Sequence, residues 1–162
     1  MPSVAGLGVV HLRTLLSVYG LQIETVADDE PIPGSYWGET EAGLIGNVLY
    51  VRSDTPVHSA LHEACHFICM DPQRRDEVHT NAGGDDLEET GVCYLQGVLA
   101  DRLPGYSRGQ LFADMDAWGY TFVLGSAKAW FERDAEDARA WLITQQLVDQ
   151  QSAPTYRLRI HS

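Results

Sequence analysis

At 162 residues, with 44% hydrophobic and 21% charged residues, the chain has the make-up of one globular domain, large enough to bury a core without staples. A net charge of −12 and a pI near 4.7 leave no basic surface to neutralise phosphates, which argues against nucleic acid and reads first as solubility. Three cysteines make no disulfide framework, and no stretch reads as a signal peptide or a membrane span, so a cytoplasmic protein is expected.

In chain order, Ser3 to Tyr19 has apolar residues at roughly helical spacing (Val4, Leu7, Val10, Leu15) with Gly20 as a stop, and predicts a helix. Leu21 to Val26 alternates and predicts a strand. Asp28 to Gly38 carries two prolines and two glycines and reads as loop. Gly43 to Arg52 predicts one bent strand, or two joined near Gly46-Asn47. Ser53-Asp54-Thr55-Pro56 then reads as a helix start, with Asp54 or Thr55 as cap and Pro56 in the first turn. The helix it opens is expected to run to about Cys69, where Asp71-Pro72 ends it. Gln73 to Asp86 reads as loop, Leu87 to Leu103 as the next helix, and Ser107 as the cap of a shorter one reaching Ala117. Ser126 to Gln150 predicts a single long helix, and Thr155 to Ile160 a short strand or a frayed end. The expected class is α+β, a single domain over residues 1–162: a small, mostly antiparallel sheet packed on two central helices.

The chemistry concentrates in His62-Glu63-Ala64-Cys65-His66. Residues four apart share one face of a helix, so two imidazoles there can grip one metal ion while the Glu between them reaches its open position. Chance alone would place this pentapeptide in on the order of one chain in two hundred of this length, so its context has to carry the reading. The first part of that context is the helix itself, with Val57, Leu61, Ala64 and Ile68 on one stripe and His58, His62, Cys65, His66 and Cys69 on the other. A zinc site of this kind also needs a third protein ligand. Six residues after the second histidine, where one branch of such sites carries a third His, stands Pro72. In the other branch a Glu opens the following helix, and Glu88-Glu89 does so here.

This combination resembles the gluzincin side of the zincin metallopeptidases, in particular their minimal, IrrE/ImmA-like members, over about Leu44 to Pro104. The resemblance implies a zincin-like fold, a Zn²⁺ cofactor and a peptide or protein substrate, which the acidic charge permits to be basic. It implies His62, His66 and Glu88 as metal ligands, with Glu89 as the alternate, because Gly91 and Tyr94 fall where the pattern after Glu88 has a small and an aromatic residue. Glu63 is then the general base of peptide-bond hydrolysis, and Val48 to Arg52 an edge strand that pairs with substrate. The polar residue that usually supports the first His is replaced by Val92, which leaves Asp85, Asp86 or a backbone carbonyl to do so.

Plainer roles compete at each flanking position. His58 reads as a first-turn histidine, with a fourth-ligand or supporting role as the alternative. Cys65 and Cys69 read as buried small residues rather than thiolate ligands that would close the site. His79, Tyr94, Tyr106 and Tyr120 are candidates to face a developing oxyanion. Trp37, Trp118, Trp130 and Trp141 read as core or as cover for the cleft. A non-proteolytic metal-binding regulatory or interaction module on the same scaffold is the alternative function.

Overall fold

The computed structural model describes residues 1–122 and 125–162. Its described residues form an α+β protein with eight helices and one three-stranded mixed sheet. The expected first helix is broken at Gly8, whose φ of +101° separates α1 (Val4–Leu7) from α2 (Val9–Ser17). The strands are β1 (Gln22–Thr25), β2 (Gly43–Ile45) and β3 (Val48–Val51). Gly46 and Asn47 turn β2 back on β3, so the bent-strand alternative gives way to a hairpin.

Two expectations about the sheet are corrected. It is mixed rather than mostly antiparallel, because β1 pairs parallel with β3 while β2 pairs antiparallel with it. The strand order β1-β3-β2 puts β3 in the centre, so Val48 to Arg52 has both edges occupied and cannot accept a substrate strand. The pairing that decides this joins strands separated by more than twenty residues, which no local pattern reports. The outer edge of β2 is covered as well: Thr80 N–H donates to the Leu44 carbonyl, and Gly46 N–H to that of Val78.

The motif helix α3 (Val57–Cys69) is the axle of the fold. All of its residues are buried except His62 and Glu63, so the helix meets the surface only at the motif. Its start differs from the expected cap. The Thr55 hydroxyl turns back to the Arg52 N–H and the Asp54 carboxylate clasps the Arg52 guanidinium, so Val57 N–H is taken instead by the Pro2 carbonyl. At its other end Arg75 donates to the carbonyls of Phe67 and Met70 at 2.9 and 2.6 Å.

The stretch expected as loop after Cys69 contains α4 (Pro72–Glu77), capped by Asp71; the Asp-Pro pair ends one helix by starting another. Helix α5 (Asp86–Ala100), capped by the Asp85 carboxylate, packs along α3. Helix α6 (Arg108–Trp118) has the expected Ser107 cap. The long C-terminal helix is instead two, α7 (Ala127–Arg133) and α8 (Glu136–Thr144), with the break at Asp134-Ala135. Thr155 to Ile160 is irregular rather than a strand, yet it is tied down: Arg159 N–H reaches the Ile68 carbonyl. Gly91, the small residue of the pattern after Glu88, faces α8, since a Cβ there would sit 2.7 Å from the Trp141 ring. Among the described residues no helix is long and apolar enough to cross a membrane.

Candidate metal centre

His62 and His66 stand at right angles one helical turn apart, with their Nε2 atoms 3.1 Å from each other. Two metal–nitrogen bonds of about 2.0–2.1 Å at a tetrahedral angle would span about 3.3 Å, so the two nitrogens already lie at the spacing of one coordination edge. Burial lowers the basicity of both rings, that of His66 to a pKa of about 3, which keeps them in the neutral form that binds metal.

The first histidine is held by a residue that sequence reasoning missed. Gln96 Nε2 donates to the His58 carbonyl at 3.0 Å, and a carbonyl can only accept. That fixes the amide orientation, turning Oε1 toward His62 Nδ1 at 2.9 Å. Nδ1 must therefore carry the proton, which leaves Nε2 bare and aimed at His66. Gln96 supplies the support absent at Val92, and neither Asp85 nor Asp86 does: Asp85 caps α5 and Asp86 is exposed. A signal was present, for Gln96 is a lone polar residue in the apolar run Val92–Ala100, two turns after Glu89 on the same face. Replacing it by Leu frees the tautomer and leaves the His62 N–H without an acceptor. Gln96→Leu is expected to weaken zinc binding by about 10–100-fold, read by competition with a chromophoric chelator; unchanged affinity would remove Gln96 from the site.

The two glutamates part company. Glu88, expected as the third ligand, lies buried under two guanidiniums: Arg74 binds it bidentately at 2.9 and 2.7 Å, and Arg159 at 2.9 Å. Glu89, the alternate, places Oε2 3.7 Å from His66 Nε2, while its Oε1 accepts the Gly84 N–H at 2.9 Å. One oxygen is thus anchored to the backbone and the other faces the histidine pair. Gly84 has a steric duty besides, since a Cβ there would overlap the Glu88 carboxylate.

Glu63 sits beside this pair with Oε2 buried and unpartnered among the described residues. Burial first, then the charges of Glu41 and Glu89, push its carboxyl up to about 8. His62, Glu63, His66 and Glu89 all line one cleft of about 540 Å³, which opens between the loop around Trp37, the segment Thr80–Gly83 and the end of α6.

Other candidates fall elsewhere. Cys65 and Cys69 are fully buried in the core, and burial holds their thiols protonated, so neither is placed as a ligand. His58 packs against Trp118 and Tyr120 with neither ring nitrogen partnered among the described residues. Of the oxyanion candidates only Tyr120 lines the cleft, its ring 5.5 Å from that of His62. Tyr94 bonds Ser152, Tyr106 donates to Asp114, and exposed His79 meets the Thr80 hydroxyl. Trp37 and Trp118 flank the cleft, Trp130 is buried core, and half-buried Trp141 packs against α5.

Among the described residues no group of three or more His, Cys, Asp or Glu side chains is placed to hold a metal ion as it stands. The donor set is nonetheless of the right chemistry: two neutral imidazoles at coordination spacing and a carboxylate oxygen 3.7 Å from the second of them. No protein-family model matches this chain, and no curated protein or solved structure matches it either.

Proposed function

We propose that this cleft is the active site of a zincin-like metallopeptidase in which His62, His66 and Glu89 hold Zn²⁺. The single observation that carries the reading is the convergence of the His62 and His66 Nε2 atoms and the Glu89 carboxylate beside a buried, uncompensated Glu63. Glu89 takes the ligand role from Glu88 because the latter's oxygens are already spent on Arg74 and Arg159. When bound, the metal supplies Lewis-acid polarisation of the scissile carbonyl and acidifies a water. Gln96 keeps the His62 lone pair directed inward, and Gly84 restrains Glu89 to one free oxygen. Glu63, buried beside the histidine pair with one carboxylate oxygen unpartnered among the described residues, accepts the proton of the attacking water and returns it to the departing amine. The Tyr120 ring lines the cleft beside His62 and helps shield these transfers from bulk water.

One observation favours the second reading, a metal-binding module that cleaves nothing. Beside the cleft, the β2 edge is occupied by this chain's own Val78–Thr80, so an extended peptide finds no free strand there to pair with. A substrate must then be gripped by its side chains, which implies narrow selectivity.

The test is cleavage of a mixed peptide library by the zinc-loaded protein. Hydrolysis that stops on chelation and returns on adding Zn²⁺ is expected; zinc binding without cleavage of any peptide would favour the non-proteolytic module.

A further inference from the structure

We propose that the mouth of the cleft is a subsite for a cationic side chain, the lysine or arginine of a peptide, built from Glu41, Trp118 and Trp37. It rests on the metallopeptidase reading only in taking the occupant to be part of a peptide.

Glu41 lies just before β2 and Trp118 ends α6, yet the Trp118 indole N–H donates to Glu41 Oε1 at 2.9 Å, fixing both at the entrance. Glu41 Oε2 takes no hydrogen bond from the described residues and stays available. Opposite lie Tyr36 and Trp37, 58% and 75% exposed, stacked edge-to-face with ring centroids 4.9 Å apart. Three large aromatic side chains exposed around one opening offer ring faces to a cation, and Trp is the strongest of the cation–π acceptors.

Charge points the same way. Besides Glu63, the cleft lining contains the carboxylates of Glu41 and Glu89 and no Lys or Arg. Behind Trp118, His58 is fully buried and lines the same cleft with neither ring nitrogen partnered among the described residues. Burial holds His58 neutral, with a pKa of about 4, so it offers a lone pair and no repelling charge. Burial also raises the Glu41 carboxyl, against the Trp118 hydrogen bond that lowers it; a carboxylate partly stripped of water gains most from a cationic partner. An apolar or acidic side chain would leave these groups unmatched.

The experiment uses the full chain kept metal-free with EDTA and two probes of equal shape, acetyl-Ala-Arg-Ala-amide and the same peptide with citrulline. Binding is followed by the Trp118 indole N–H resonance. The arginine peptide is expected to shift that resonance and to bind about tenfold more tightly than the citrulline peptide, with the difference shrinking at high salt. Glu41→Gln should bring the two within about twofold. Trp37→Ala, at a position too exposed to threaten folding, should weaken the arginine peptide severalfold while changing the citrulline peptide less. Equal binding of both peptides, no binding of either, or discrimination that survives Glu41→Gln would overturn the proposal. Discrimination with no cleavage after zinc loading would count against the metallopeptidase and leave the subsite standing; cleavage without discrimination would do the reverse.

Discussion

Glu88→Ala is expected to destabilise the protein by about 3 kcal/mol, lowering Tm by about 6–12 °C. Glu88 is 2% exposed and its carboxylate pairs with two guanidiniums. Arg74 brings α4 and the cleft loop to α5, because it also holds Asp71 and the Gly83 carbonyl. Arg159 brings the C-terminal segment, bonding the Cys69 carbonyl and lying 5.3 Å from the Trp141 ring. Breaking a buried pair by removing one partner costs about 3–5 kcal/mol; the half-exposed Arg74 can rehydrate, which puts this case at the low end. Urea unfolding at neutral pH measures it. A loss below about 1 kcal/mol would mean that the network is solvated and does not hold the loop.

Glu63→Gln should separate two effects of one carboxyl. In the zinc-loaded protein, metal is retained and peptide hydrolysis falls by about 10²–10⁴-fold, since Glu63 is the carboxyl set beside the histidine pair to take the proton from water. In the metal-free protein the same change is stabilising at high pH. The wild-type carboxyl titrates at about 8 in the folded state and in the ordinary carboxylate range when unfolded, so unfolding releases its proton. Wild-type stability therefore falls as pH rises from the usual carboxyl range through about 8. The variant lacks this loss. Its advantage should be near zero below about pH 4 and reach about 2–4 kcal/mol above pH 8. His66, whose folded pKa lies near 3, acts with the opposite sign, adding stability as pH rises toward its unfolded value; it is common to both proteins and cancels in the difference. A flat difference across pH 5–9 would show that Glu63 is not held in a desolvated site.

What the sequence made legible follows the range of the physics involved. His62, Glu63 and His66 share a helix face through a period of 3.6, a local property, and the structure brings the two histidines to coordination spacing. The choice between Glu88 and Glu89 is not local. One residue rotates a side chain by about 100° around the axis of α5, and the deciding partners, Arg74 and Arg159, lie 14 and 71 positions away in the chain. A pattern match pointed to Glu88, and two arginines claim it. The position of β3 was hidden for the same reason, since its parallel partner is chosen by tertiary packing rather than by alternation. The break between α7 and α8 has no proline or glycine to announce it. Gln96 could have been found by asking what a lone amide does in a buried helix face.

The central claim, a metal held by His62, His66 and Glu89, is tested most directly by zinc titration of three proteins side by side: wild type, Glu89→Gln and Glu88→Gln. One zinc per wild-type chain is expected, with affinity lower by about 10²-fold or more in Glu89→Gln and within about tenfold of wild type in the less stable Glu88→Gln. Zinc lost from Glu88→Gln but kept by Glu89→Gln, or no zinc bound by wild type, would contradict it.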